Sequence, residues 1–276
     1  MVLYRRMEPY VVLYKKVGQT PLHVLEAYKN EHPELANVPM AYAGRLDPMA
    51  EGKLLVLQGD ECKVQEKYHS LDKEYEFEVL FGVSSDTADV LGLLELSTVI
   101  EISENKIRSI VKKMVGEVLL PYPHFSSKTV QGKPLHVWKL EGRINEIEIP
   151  TKRSTIYKIK LQELKTIAAR EVFEYASQKI ETIPKVTQES KALGNDFRRE
   201  DVRLCWQNFI DTNDPTTTYY VAKFICIASS GTYMRTLAEV IAKELKTAGL
   251  AYSINRTKIG TYKKLPFGLG FWSKQF

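Results

Sequence analysis

Residues 75–81 read YEFEVLF, and no other segment narrows the possible folds of this chain as much. Tyr75, Phe77, Val79 and Phe81 fall on one side of an extended backbone, with Glu76 and Glu78 on the other. That two-residue period belongs to a strand with one face buried. Such a strand needs partners in a sheet and an apolar layer to cover it. The chain supplies both. "YVVLYKK" (10–16), "STIYKIKLQEL" (154–164) and "YYVAKFICIA" (219–228) also read as strands. "SENKIRSIVKKMVG" (103–116) reads as a helix with Ile107, Ile110, Val111, Met114 and Val115 along one stripe, Ser103 as cap and Gly116 as its end. "YMRTLAEVIAKELK" (233–246) is a second, with Leu237, Ile241 and Leu245 on one side and Thr232 or Ser230 as cap. A third opens at Thr20-Pro21, carries Leu22, Leu25 and Tyr28 on a shared face, and stops at Pro33.

Strands and helices are interspersed without a regular βαβ beat. The expected class is therefore α+β, a mixed and largely antiparallel sheet flanked by helices. Two segments break the pattern. Residues 121–149 are polar and turn-rich, with a basic stretch "SSKTVQGK"; residues 170–215 carry helical patterns interrupted at Pro184 and at "GND". Taken alone, both are expected to be surface excursions. With 276 residues the chain is long enough to bury a substantial core.

Charge and cysteine usage exclude little but bound the rest. Lys plus Arg number 39 against 34 Asp plus Glu, a net charge of +5 that permits a polyanionic partner without requiring one. Cys62, Cys205 and Cys226 lie far apart with no CxxC, which argues against a zinc site or a disulfide framework and fits a reducing compartment. No apolar run approaches the ~20 residues of a membrane span. The opening "MVLYRRMEPYVVLYKK" lacks the layout of a signal peptide. These features predict a soluble cytoplasmic protein with no membrane partner.

Three stretches could carry chemistry. In "AYAGRLDPMAEGKLLVL" (41–57), Asp47 stands between Gly44 and Pro48, so its carboxylate is aimed by a stiff turn. An Asx-turn with a purely structural aspartate reads equally well. "SSDTADVLG" (84–92) holds Asp86 and Asp89, either a plain acidic loop or a weak metal-ligand cluster. "SSGTYMRT" (229–236) reads as a turn leading into a helix, with Arg235 an ordinary arginine if taken alone.

Taken in order, "GRLDPMAEG", "KEYEFEVLFGVSSDTADVLG", "FSSKTVQGKPL" and "SSGTYMRTLAEVI" resemble the TruB family of tRNA pseudouridine synthases, over roughly residues 10 to 262. The resemblance implies a pseudouridine synthase fold, with residues 1–276 forming one catalytic domain. It implies a thumb-like, RNA-contacting insertion near 121–149 and a helical insertion at 170–215. It also implies an isomerase that converts a T-loop uridine of tRNA, of the pseudouridine-55 type, as a monomer without cofactor or metal. Asp47 matches the one essential aspartate, which attacks or deprotonates at the ribose or adds to the base. Arg235 matches an arginine expected to hold that carboxylate bidentately, since a guanidinium within ion-pair reach favours a carboxylate's charged form. Tyr75 matches the family tyrosine whose ring meets the target uracil, though one more core aromatic beside Phe77 is its alternative reading.

Tyr42, Gly44, Arg45, Leu46, Tyr233 and Ile254 match positions that line the uridine pocket. Lys73, Lys128, Lys133, His136, Lys139 and Arg256 are expected to meet RNA, with Trp138 a further candidate for packing on it. Unpaired loop RNA suits such a site because its bases can be splayed and stacked.

The chain departs from the family pattern at several points. Tyr42 stands where relatives carry histidine, and Ser230 where they carry lysine. "KKVGQT" (15–20) lacks their proline, and "SSKT" shifts a lysine by one place. No separate C-terminal RNA-binding (PUA) domain is expected. Residues 170–215 exceed the family's connection, and Lys191, Arg198, Arg199 and Arg203 could there supply RNA contacts. Rival readings are modification of another RNA, the large-subunit rRNA type of synthase, a non-catalytic RNA-folding module, and a metal-dependent phosphoryl-transfer enzyme on Asp47, Asp86 and Asp89.

Overall fold

The computed structural model describes residues 8–97, 100–184 and 198–276. The strands, in chain order, are β1 (Tyr10–Lys15), β2 (Met40–Tyr42), β3 (Glu51–Gln58), β4 (Asp72–Phe81), β5 (Val83–Ser85), β6 (Leu94–Leu96), β7 (Gly116–Pro121), β8 (Thr129–Val130), β9 (Lys133–Pro134), β10 (Thr151–Ala168), β11 (Thr218–Ala228), β12 (Gly249–Lys264) and β13 (Gly270–Gln275). The helices are α1 (Pro21–Glu31), α2 (Glu66–His69), α3 (Glu104–Lys113), α4 (Leu135–Leu140), α5 (Ala169–Thr182), α6 (Arg199–Thr212) and α7 (Met234–Glu244).

One nine-stranded sheet runs β1-β3-β12-β4-β11-β10-β7, with β2 beside β3 and β13 beside β12. Every pairing in it is antiparallel except β3 with β12. This is the expected mixed, largely antiparallel α+β architecture. β4 lies at its centre between β12 and β11, and Phe77 and Val79 are wholly buried. Helices α3 and α7 cover the sheet with the apolar stripes read from sequence, Ile107 and Val111 from one, Leu237 and Ile241 from the other. Each such side chain removed from water contributes about 1.5–3 kcal/mol.

Some local expectations change. Thr20 Oγ1 accepts from His23 N (3.1 Å) and Ser103 Oγ from Lys106 N (3.3 Å), so both of these caps form. Helix α7 has no side-chain cap: Thr232 Oγ1 donates to Ser229 O (2.9 Å) and Ser230 Oγ donates to His69 O, tying down the loop instead. Val115 lies beyond α3 and is exposed, as is Leu22 in α1, where Val24 joins Leu25 in the packed face.

The described parts of 170–215 are not a surface excursion. Helices α5 and α6 pack on each other, and Val172, Ala176 and Ile180 enter the central core with Val202, Trp206 and Phe209. The interruption at Pro184 masks two apolar stripes that are each helical in spacing. The "GND" stretch and Lys191 lie outside the described residues. Residues 121–149, by contrast, build a small unit of their own: the β8–β9 hairpin and α4 enclose Leu135, Trp138, Ile144 and Ile147. Among the described residues, no helix is long and apolar enough to cross a membrane.

The parallel pairing explains a glycine. Gly52 lies opposite Arg256, at φ +119°, and a Cβ there would sit 2.4 Å from Arg256 O and 2.5 Å from Arg256 N. Only a residue without a side chain lets the two backbones approach so closely.

Candidate active site

Asp47 sits in the loop between β2 and β3. Its carbonyl accepts from Ala50 N (3.0 Å), which closes the turn, and Gly44 enters it at φ +94°. The loop is braced from below. Lys15, at the end of β1 and wholly buried, donates Nζ to Ala50 O (2.5 Å) and reaches Pro48 O (3.5 Å). Gly18 N donates to Pro48 O (2.9 Å). Burial pulls the Lys15 ammonium down to about 8, against the pull of Asp47's charge.

Among the described residues the carboxylate is ion-paired with one cation. Arg235, in the first turn of α7, donates Nε to Asp47 Oδ2 at 2.8 Å. The pairing is not bidentate as expected, because the rest of the guanidinium is already committed. Nη1 donates to Thr87 O (2.8 Å) and Nη2 to Phe125 O (3.1 Å). Asp89 Oδ2 lies 3.7 Å from Nε. Arg235 is 4% exposed and Asp47 35%, so a buried cation presents a carboxylate that remains open to the cleft. Burial lowers the Arg235 pKa, but Asp47 and Asp89 outweigh it and hold the group above its ordinary value. Asp89 goes the other way: burial raises it, with Arg235 in opposition.

Above Asp47 opens a cleft of about 740 Å³. It is lined by Tyr42, Gly44, Arg45, Leu46, Lys73, Tyr75, His136, Tyr233, Ile254 and Arg256 as well as Asp47 and Arg235. Twelve of the residues singled out from sequence therefore converge, although they come from five parts of the chain. Tyr75 faces the cleft from β4; burial raises its phenol pKa, with the Arg256 charge in opposition. Arg45 donates Nη1 to Ser127 Oγ (3.2 Å), linking the Asp47 loop to the base of the 121–149 unit.

Lys73 and Arg256, expected to meet RNA, line the cleft already engaged with the protein. Both are buried. Lys73 donates to Leu71 O (2.5 Å) and Ser230 Oγ (3.1 Å), and burial pulls it down to about 8, with the Arg256 charge in the same direction. Arg256 donates Nε to Lys53 O (2.8 Å) and Nη1 to Arg45 O (3.2 Å), bracing the Asp47 loop from β12. Lys128, Lys133 and Lys139 stand outside the cleft on the 121–149 unit. Lys133 pairs with Glu141 (2.6 Å) over the Trp138 ring, and Lys128 lies over Tyr122. Trp138 is buried and donates Nε1 to Val130 O (3.1 Å), so it packs the unit's own core.

Of the four cations singled out at 170–215, Lys191 lies outside the described residues and the other three are turned inward or paired. Arg198 pairs with Asp86, Arg203 with Glu181 and Glu200, and Arg199 is buried. The Asp47, Asp86, Asp89 metal reading fails on its donors, since each carboxylate faces a guanidinium. Among the described residues no group of three or more His, Cys, Asp or Glu is placed to hold a metal ion. Sequence reasoning missed Lys15, His69 and Phe125. Lys15 opens "KKVGQT" and Phe125 opens "FSSKTVQGKPL", but their roles are not local, because a strand-end lysine becomes a loop brace only through contacts more than thirty residues away.

The family model described as TruB family pseudouridylate synthase (N terminal domain) matches residues 35–180. The chain is 29% identical over 269 residues to tRNA pseudouridine synthase B of Caldicellulosiruptor saccharolyticus, covering 97% of this chain and 73% of that protein. It is 33% identical over 138 residues to tRNA pseudouridine synthase 4 of Saccharomyces cerevisiae, covering 49% of this chain and 34% of that one. To tRNA pseudouridine synthase B of Caldanaerobacter subterraneus it is 34% identical over 123 residues, covering 44% and 42%. The last two matches span well under half of the relatives' own lengths. A crystal structure of a Cbf5-Nop10-Gar1 complex shares the fold, with a TM-score of 0.52 at 16% identity over 91% of this chain and 48% of that one. The chain belongs to the TruB family of pseudouridylate synthases.

Proposed function

We propose that this protein converts a T-loop uridine of tRNA, at position 55, to pseudouridine, with Asp47 as the nucleophile acting on a base swung out of the RNA. The observation that carries the reading is the Asp47–Arg235 pair at 2.8 Å, with its carboxylate open to a cleft of pyrimidine scale. Extrusion of the base costs a few kcal/mol, offset by stacking in the pocket. In this reading Tyr75 lies against the uracil, with Tyr233 and Ile254 closing the sides. The glycosidic N1–C1′ bond breaks while Asp47 attacks at the ribose or the base. The uracil turns over, C5 bonds to C1′, the bond to Asp47 breaks to return the carboxylate, C5 loses its proton near the Tyr75 phenol, and the freed N1 gains one. Arg235 aims the nucleophile throughout. Arg45, at the exposed lip of the cleft, and Lys128, Lys133, Lys139 and His136 on the 121–149 unit are assigned to the RNA backbone.

We also read the sheet and its two insertions as one catalytic unit, acting as a cytoplasmic monomer. A second RNA target has one observation in its favour. Tyr42 replaces the family histidine, and its ring packs against the residues under α1. The T-loop would then be opened by a bulkier, partly anchored side chain.

Tritium release from uracil-labelled tRNA, set beside release from unrelated structured RNA, tests the reading. We expect release from tRNA that is insensitive to EDTA, since guanidinium groups already occupy the carboxylates a metal would need. Asp47→Ala should abolish release while tRNA binding persists. Turnover in that variant refutes the assigned nucleophile.

A further inference from the structure

We infer that Arg198 is a positioning residue for the Asp47–Arg235 pair, acting from outside the cleft; the inference rests on the isomerase reading above. Arg198 immediately precedes α6 at φ +62°, a left-handed conformation that an arginine seldom adopts. Its guanidinium reaches both oxygens of Asp86, Nη1 to Oδ2 at 2.5 Å and Nη2 to Oδ1 at 3.3 Å. The two side chains are 17% and 10% exposed, so water screens the pair little. The same guanidinium lies over the Phe125 ring, 4.5 Å from its centroid.

Both contacts lead to Arg235. The carbonyl of Phe125 accepts from Arg235 Nη2, and Asp86 directly precedes Thr87, whose carbonyl accepts from Nη1. Three protein groups receive hydrogen bonds from the Arg235 guanidinium: Asp47, Thr87 and Phe125. Two of the three lie on segments that Arg198 clamps together, the loop after β5 and the lead into the 121–149 unit. Asp86 is anchored in its own hairpin as well, where Oδ1 accepts from Leu93 N (2.9 Å). Arg198 thus joins a fixed hairpin to Phe125. Without it, Phe125 follows the 121–149 unit, Arg235 loses one of its two carbonyl supports, and the Nε–Asp47 bond loses its fixed direction. An arginine in a segment longer than the family's connection thereby sets the aim of the nucleophile.

The test uses Arg198→Met, which keeps the stem and removes the fork, Arg198→Lys, which keeps the charge, and Asp86→Asn. Single-turnover conversion of T-arm RNA at saturating enzyme and the Kd for that RNA are measured together. In parallel, NMR of protein labelled with ¹⁵N-arginine reads rotation of the Arg235 guanidinium, assigned by loss of its signals in Arg235→Lys. We expect the rate to fall about 10- to 100-fold in Arg198→Met with Kd unchanged, the scale of a misplaced catalytic group. Arg198→Lys should recover part of the rate. Adding Asp86→Asn to Arg198→Met should cost little more, because the two act as one contact. The Arg235 Nη signals should be separate in the parent protein, where Nη1 and Nη2 are each bonded to a carbonyl, and should merge through faster rotation in Arg198→Met. A raised Kd with an unchanged saturating rate would make Arg198 a phosphate contact and overturn the inference, as would unaltered Arg235 signals. If the parent protein converts no RNA, the isomerase reading fails by itself, and the Arg235 signals still decide whether Arg198 positions the pair.

Discussion

A guanidinium has five N–H donors, and at Arg235 its three nitrogens are divided among a carboxylate and two backbone carbonyls. Shared in this way, the group holds Asp47 by one bond and takes its own orientation from the protein behind it. One turn further along α7, Glu239 is a half-buried carboxylate whose pKa burial pushes up to about 7, against the pull of Arg235 and with Asp89 adding to the rise. A folded-state value above the ordinary one means that the folded protein keeps a proton the unfolded chain releases. Stability contributed by Glu239 is therefore present at acid pH and lost as pH rises from about 4.5 through about 7. Glu239→Gln should remove that decline. Urea midpoints at intervals from pH 5 to 8 check it: the stability of Glu239→Gln relative to the parent should rise with pH. A difference that stays flat would count against the shift.

At the scale of elements, the decisive feature is the parallel contact of β3 with β12 inside an otherwise antiparallel sheet. It places the Asp47 loop, which leads into β3, beside Ile254 and Arg256 on β12, and it works only because residue 52 has no Cβ. Gly52→Ala must both adopt φ +119° and push apart two backbones. We expect a loss of about 3 kcal/mol or more in unfolding free energy and a matching loss of turnover as the loop shifts. Gly142→Ala is the control. Its φ is +71° but a Cβ there meets nothing within 4 Å, so it should cost only about 1–2 kcal/mol. Equal losses at the two sites would show that backbone strain alone, and not the strand contact, is at issue. Helices α3 and α7 were legible in outline because their apolar spacing is local. The cap of α7 was not, since Ser230 and Thr232 spend their hydroxyls on the loop that faces the cleft.

Across the whole molecule, the 121–149 unit has its own apolar cluster, separate from the cluster that the sheet shares with α3, α5, α6 and α7. Its surface charges can thus be changed without disturbing the catalytic core. Lys128→Glu combined with Lys139→Glu should leave the Tm close to that of the parent. It should weaken tRNA binding and flatten its dependence on salt, by about 1–2 in the slope of log K against log salt. Titrations at low and moderate salt check this; an unchanged slope would remove those lysines from the RNA interface. The saturating rate should hold, because Phe125, the residue of this region that supports Arg235, is untouched.

The chain by itself determined its strand and helix periods, the caps of α1 and α3, and the three blocks that carry Asp47, Tyr75 and Arg235. Each of these depends on residues a few positions apart. Only tertiary structure decided that β3 runs parallel to β12, that α5 and α6 belong to the core, that Arg256 braces the Asp47 loop from within, and that Lys73 is spent on Leu71 and Ser230. It alone decided that Arg235 divides its hydrogen bonds, one of them reaching Asp47 across 188 residues of sequence. The reason is physical: spacing along a chain records which face of an element is apolar, but not which distant backbone group will stand within hydrogen-bonding distance once that face is covered.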